Sequence, residues 1–328
     1  MSREEFRSKH GSDRRQCAPA CINASRWDCT LEPSGGRYLA VRLGLRMVAG
    51  LSNDDGARIV AHRGEVPYTG VEELWRRAGV PASALEKLAE ADAYRGLGLN
   101  RRGALWAIRG LADAALPLFV AADRGHAPQP ELVEPPVVLA RMTDGGEVVE
   151  DYRSVGLSLR RHPVAFLRDE LSRRGMIGCG DLARTRDGLR VTVSGIVLVR
   201  QRPGSASGVL FVTVEDETGV ANLIVWPSVF ERHRRLILGA KMLACHGRVQ
   251  REGDVIHVIA DGLEDLSDLL HSVGERDENG PTCAGRGNEP RHGLSVDTRA
   301  LGGGGPGASG ISGLRRDGGI KVPTRDFR

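Results

Sequence analysis

A helical N-terminal half followed by a small closed β-barrel is the architecture this sequence predicts. Three observations carry that reading. Between Leu189 and Asp261 the β-rich runs come as three strands, a short helix and two more strands. Between Arg37 and Leu116 apolar residues recur at helical spacing, broken by short connections marked with Gly and Pro. After Leu270 the chain turns polar and glycine-rich, as in LGGGGPGASG, with too little apolar surface to offset its ordering entropy. The fold class is therefore multidomain, α then β.

The elements follow in order. Residues 1–36 have no sustained periodicity and are expected to be disordered or foreign to the domain. The helical region spans 37–125. VRLGLRMVAGL is read as its first helix. SNDDGARIVAHRG is the second, with Ser52 as N-cap and Asp55 completing a near capping box. VEELWRRAG, PASALEKLAEAD with Pro81 just inside its start, and NRRGALWAIRGL with Asn100 as N-cap complete the set. In the last of these Leu105, Ile108 and Leu111 share one face. A segment at 126–188 comes next, a proline-rich linker (HAPQPELVEPP) leading to two connector helices. One covers roughly 145–154, and the other is HPVAFLRDELSRRG. The barrel covers 189–270, and 271–328 is the expected disordered tail.

Three strands, a helix and two strands is the order of an OB-fold. Such barrels bind single-stranded nucleic acid or oligosaccharide on strands 2 and 3 and on the loops joining strands 1–2 and 4–5. The first loop carries Arg200, Gln201 and Arg202, and the second carries Arg251. Two basic loops favour a polyanion. Phe211 sits on strand 2, where either a base or the core can claim it. Trp226, at the end of strand 3, could also stack a base, with the core favoured for it.

Bulk composition says less. The net charge is only +4, and four lysines stand against forty-two arginines, the signature of a GC-rich genome. Arginine content is thus no argument for nucleic acid, and only its placement counts. No run reaches the ~20 apolar residues of a membrane span, and the N-terminus lacks a signal-peptide core, so a cytoplasmic address without membrane contact is expected. Cys17, Cys21 and Cys29 lack a second pair at zinc-site spacing, and Cys245 alternates with core residues. No phosphate loop, nucleophile elbow or dinucleotide fingerprint appears. Glu215-Asp216-Glu217 is read as a solvated turn. Catalytic and metal-binding residues are therefore expected to be absent, and no cofactor is assigned to this chain.

Two turns have the form of helix-hairpin-helix phosphate sites, where backbone N–H groups at a helix start meet an anion. Gly50-Leu51-Ser52 is followed by Asp54 and Asp55, which repel phosphate. Gly96-Leu97-Gly98 is followed by Asn100, Arg101 and Arg102, which attract it. Gly96, Gly98, Asn100, Arg101 and Arg102 are the duplex-binding candidates. Arg200, Arg202, Phe211 and Arg251 are the single-strand candidates.

WDCTLEP, RLGLRMVAGL, AYRGLGLNRRGALWAIRGL, EDYRSVGLSLRRHPVAFLR and RQRPGSASGVLFVTVEDETGVANLIVWPSVFER occur in that order. They resemble the C-terminal third of bacterial C-family DNA polymerases, and above all the error-prone, damage-inducible paralogue of the polymerase III alpha subunit. GRVQREGDVIHVIADGLEDLS and the closing VPTRDFR continue the likeness. The resemblance implies copying of damaged templates. Duplex DNA would lie at the hairpins and single-stranded template at the barrel, with a sliding clamp and damage-response polymerase accessory proteins as partners. Magnesium would serve the intact polymerase. The family's phosphoesterase-like domain, palm, thumb and fingers would lie upstream of this match. A truncated or frameshifted product without its own polymerase core, inactive alone, is expected. The alternative role is a protein-docking module of the damage-response polymerase complex.

Overall fold

A computed structural model describes residues 17–34, 38–111, 139–204 and 208–277, and the backbone of 325–327. The proline-rich linker at 126–136 and most of the glycine-rich tail lie outside these residues. The chain opens on a three-stranded sheet of β1 (Cys17–Ala18), β2 (Thr30–Pro33) and β3 (Leu39–Arg42), with β3 in the middle. Two expectations are corrected here. Residues 17–34 are folded into the domain: Ile22 is wholly buried, and its N–H donates to the carbonyl of Ala93. VRLGLRMVAGL is not a helix but β3 followed by a short 3-10 turn, Leu45–Met47. Its backbone donors are taken by tertiary partners, since Leu45 N–H bonds Arg26 O and Arg46 N–H bonds Trp27 O. Gly44 allows that approach, because a Cβ there would stand 2.4 Å from the Trp27 oxygen.

Four helices follow, as the periodicity requires: α1 (Asn53–Arg63), α2 (Val71–Ala78), α3 (Ala82–Glu90) and α4 (Arg101–Arg109). The Ser52 hydroxyl accepts from Asp55 N–H at 3.1 Å, and the Asn100 side chain accepts from Gly103 N–H at 2.8 Å. Pro81 is the N-cap of α3 and not its first helical residue. Ile22, Ile59, Leu74, Leu85 and Leu88 form one buried cluster with Tyr94, and α4 adds Ala104 and Ile108. Burying each such aliphatic side chain is worth about 1.5–3 kcal/mol.

The connector holds α5 (Asp144–Ser154), a 3-10 turn at Pro163–Phe166 and α6 (Arg168–Arg173). The single helix read over HPVAFLRDELSRRG is thus two pieces, meeting at Leu167, whose φ is −106°. The barrel is β4 (Arg190–Gln201), β5 (Leu210–Glu215), β6 (Val220–Val225), α7 (Pro227–Gly239), β7 (Met242–Glu252) and β8 (Val255–Asp265). Strands β4, β5, β6, β8 and β7 pair in a ring, because β4 bonds both β5 and β7. A second apolar layer joins connector to barrel. Val164, Leu167 and Leu171 pack with Ile196, Met242 and Ala244.

The ordered chain does not stop at Leu270. Helix α8 (Ser267–His271) and a 3-10 turn at Ser272–Glu275 return to the connector, burying Val273, and Arg276 O just after them accepts from Gly145 N–H of α5. The backbone of β9 (Arg325–Phe327) pairs in parallel with Val199–Gln201 of β4. The expected disorder of 271–328 is corrected at these two places.

Candidate nucleic-acid interface

Strand parity divides the barrel residues. Leu210, Val212 and Val214 of β5 point into the core, as do Ala221, Leu223 and Val225 of β6. Phe211 and Thr213 therefore lie on the outer face with Asn222 and Ile224. Direct pairing sets Phe211 between Gln201 and Ile224, and Asn222 between Thr213 and His257. The choice left open for Phe211 falls on the outer face, where its ring is half-buried. Trp226 overturns its core assignment. It follows Asn222 and Ile224 in parity, caps α7, and is 50% exposed. An aromatic face with polar neighbours can stack bases.

The loop arginines behave differently. Arg200 sits opposite the core residue Val212, so it points into the end of the barrel. It is 8% exposed, and its guanidinium donates to the carbonyls of Ile237 and Ala240 at the end of α7. Arg251 shares the inward parity of Val249 at the opposite end. It donates to the carbonyls of Leu182, Ala183 and Thr185, which close the 3-10 turn Cys179–Arg184. Both are structural, and neither lines a nucleic-acid loop as expected. A bulge between Val197 and Val199 shifts the parity of Arg200, which alternation in the sequence does not reveal. Arg202 stays exposed, its guanidinium 5.2 Å from the centre of the Phe230 ring.

At the second hairpin Gly96, Gly98, Asn100 and Arg102 are exposed. Gly98 has φ +74°, which suits glycine and turns the chain into α4. Arg102 donates to Ala140 O at 2.7 Å. Arg101 is corrected. It is 3% exposed, donates to Glu90 O, and ion-pairs both Glu147 and Asp151 of α5. Arg160 joins the same acids and Asp92. The turn thus borders a polar cavity of about 290 Å³ lined by Arg95, Arg141 and Arg160 but also by Asp92, Asp144 and Glu147. In the first hairpin the Ser52 hydroxyl donates to the Asp55 carboxylate as well as capping α1, so that helix start already holds an anion.

The acidic triplet is not a solvated turn. Asp216 is almost wholly buried, accepts from Cys179 N–H, Thr218 N–H and Gly219 N–H, and pairs with Arg168. Glu217 pairs with the same guanidinium, locking connector to barrel. His162 is buried beside this pair. Its Nδ1 accepts from Val164 N–H at 3.2 Å. Desolvation, opposed by Asp216 and assisted by Arg168, pushes its pKa down to about 4. Burial likewise pushes the Cys245 thiol up to about 12, in keeping with its core position. Among the described residues no three His, Cys, Asp or Glu side chains converge as a metal ion needs.

Two domain families match. Residues 16–104 match the helix-hairpin-helix motif, and residues 191–266 match the OB-fold nucleic acid binding domain. Error-prone DNA polymerase 1 of Agrobacterium fabrum is 56% identical over 291 residues, 86% of this chain and 27% of that protein. Error-prone DNA polymerase 2 of Rhizobium meliloti is 53% identical over 298 residues, 89% of this chain and 27% of the relative. The error-prone DNA polymerase of Ruegeria pomeroyi is 47% identical over 257 residues, 78% and 23% of the two chains. The chain is a homologue of the C-terminal part of the error-prone DNA polymerases. It spans about a quarter of the length of these curated relatives. The error-prone polymerase relationship agrees with the sequence resemblance, and so does the helical region followed by a five-stranded OB barrel. No helix among the described residues is long and apolar enough to cross a membrane.

Proposed function

We propose that this chain handles DNA for an error-prone polymerase, holding single-stranded template on the outer face of its barrel and duplex at the second hairpin. One observation carries the reading: Trp226 is half exposed just past the end of β6, two residues on from Ile224, which pairs directly with Phe211. Large aromatic surface left in water on this face is what base stacking uses. In this reading Gly98, Asn100 and Arg102 meet the duplex backbone, while Arg101, Arg200 and Arg251 hold the scaffold. The resemblance extends the proposal to copying of damaged templates, and the address proposed is the cytoplasm. Magnesium belongs to the intact polymerase, and a sliding clamp and damage-response accessory proteins are its partners.

The test is oligothymidine binding by fluorescence anisotropy. Each base stacked on an aromatic is worth about 1–3 kcal/mol, so Phe211→Ala and Trp226→Ala should each weaken binding by roughly that amount. Leu238→Ala, on an exposed side chain of α7, should change nothing. Parent affinity in the Phe211→Ala/Trp226→Ala double variant would defeat the reading. It would favour a barrel that docks protein, whose binding would lack the steep salt dependence of counterion release.

A further inference from the structure

The outer face does not end at strands β5, β6 and β8. Strand register carries the row of Phe211, Ile224 and Ile259 on to Arg248 of β7 and then to Arg190 of β4. Four strand spacings of about 4.8 Å make that an arc of roughly 19 Å. Arg190 and Arg248 are directly paired on neighbouring antiparallel strands, and both are exposed. Like charges at directly opposed positions destabilise a sheet, so their juxtaposition needs another reason. Asp261 approaches Arg190 at 3.5 Å, but Arg248 makes no ion pair among the described residues. One step further along the two strands, Thr192 Oγ1 and His246 Nδ1 meet at 2.9 Å, again on the outer face.

Beside this pair runs a groove of about 590 Å³. Its barrel wall includes Arg190, Thr192 and His246, and its far wall includes Ile177 and Thr185. The connector covers the rest of the β4–β7 outer face, over Ile196, Met242 and Ala244. Among the described residues the Arg190–Arg248 end stays exposed and continuous with the aromatic row. The groove also holds Asp181 and Asp261. Asp181 is occupied in accepting Gly178 N–H, and Asp261 lies beside Arg190.

We infer that Arg190 and Arg248 form a phosphodiester subsite on β4–β7, which continues the path of a single strand beyond the aromatic face. The inference rests on the nucleic-acid reading of the barrel and adds a site outside strands 2 and 3 and their loops. The ligand class is single-stranded nucleic acid, bound through two backbone phosphates and without base readout.

The experiment uses the full chain with roughly four and roughly twelve thymidines, lengths within the span of OB-fold site sizes. Arg190→Gln/Arg248→Gln keeps much of the side-chain stems and removes both charges. On the long oligomer the log–log salt slope should fall by about 1.4, from two single-strand phosphates at ~0.7 each. Between 50 and 200 mM salt the parent should then lose about sevenfold more affinity than the variant. Binding of the short oligomer, held by Phe211 and Trp226 alone, should be unchanged. Arg190→Lys/Arg248→Lys should keep the parent slope. Melting of the Gln variant at or above the parent temperature is expected, because a like-charge pair is relieved. An unchanged slope on the long oligomer, or equal loss on both lengths, overturns the subsite. If the subsite fails while Phe211→Ala/Trp226→Ala still weakens binding, the aromatic-face reading survives. If neither variant weakens binding, both readings fall.

Discussion

The Arg200 guanidinium donates to the carbonyl oxygen of Ile237 across 2.6 Å, from inside one end of the barrel. Helix α7 ends at Gly239, so its last carbonyls have no intrahelical donor. A buried cation satisfies them and also complements the negative end of the helix dipole. Arg251 does the same for the 3-10 turn that closes the other end. Two arginines on strands of one barrel thus fasten a plug at each mouth. In the proposed reading they belong to the scaffold and not to the binding face.

Arg200→Ala should therefore cost stability. Hydrogen bonds to charged groups contribute about 1.5–3 kcal/mol, and this change strands two buried carbonyls. Arg251, half-buried, should cost less. Thermal melting of each variant, with oligothymidine affinity measured well below the transition, separates the roles. Loss of affinity at unchanged melting temperature would return these residues to the interface.

Much of the fold was legible in the sequence. Alternation was enough for β4 through β8, because a small barrel must point every second residue inward. The caps at Ser52 and Asn100 were equally legible, since few residues can satisfy a helix start. Roles that depend on tertiary partners were not. Arg101 and Arg102 are neighbours with identical chemistry, yet only Arg101 faces Glu147 and Asp151, some fifty residues away. The bulge at Val197–Val199 reversed Arg200, and Gly44 let a strand and turn replace a helix. Size alone argues for a core Trp226. Its parity with Asn222 and Ile224 already placed it outside.

The neutral state of His162 makes a pH prediction. Its pKa in the folded chain is about 4, against an ordinary value near 6.5. The unfolded chain therefore binds the extra proton first, and stability must fall as pH drops from about 6.5 towards 4. Above that window the contribution is fully present. Its size is roughly 3 kcal/mol, at 1.36 kcal/mol per pKa unit. Asn at this position can still accept from Val164 N–H but does not titrate. His162→Asn should accordingly flatten the dependence of melting temperature on pH between 6.5 and 4. Curves of equal slope for the two proteins would show that His162 is not the titrating group.

The contrast between Arg101 and Arg102 gives the most direct separation of scaffold from interface at the second hairpin. Arg101→Ala leaves the largely buried Glu147 and Asp151 with Arg160 as their one cationic partner among the described residues. Removing one partner of a buried pair costs about 3–5 kcal/mol, and Arg160 should hold the loss near the lower figure. Arg102 is exposed and donates to the Ala140 carbonyl, so Arg102→Ala should shift stability by less than about 0.5 kcal/mol. Duplex binding should show the reverse order. Arg102→Ala should weaken duplex affinity for all sequences alike and lower the salt slope by about one, as loss of one phosphate contact does. Arg101→Ala, assayed below its transition, should leave that slope unchanged. The two readouts, melting and salt-dependent duplex titration, are independent. A slope that falls with Arg101→Ala and holds with Arg102→Ala would exchange the two roles, and a slope that holds in both would confine this turn to scaffolding.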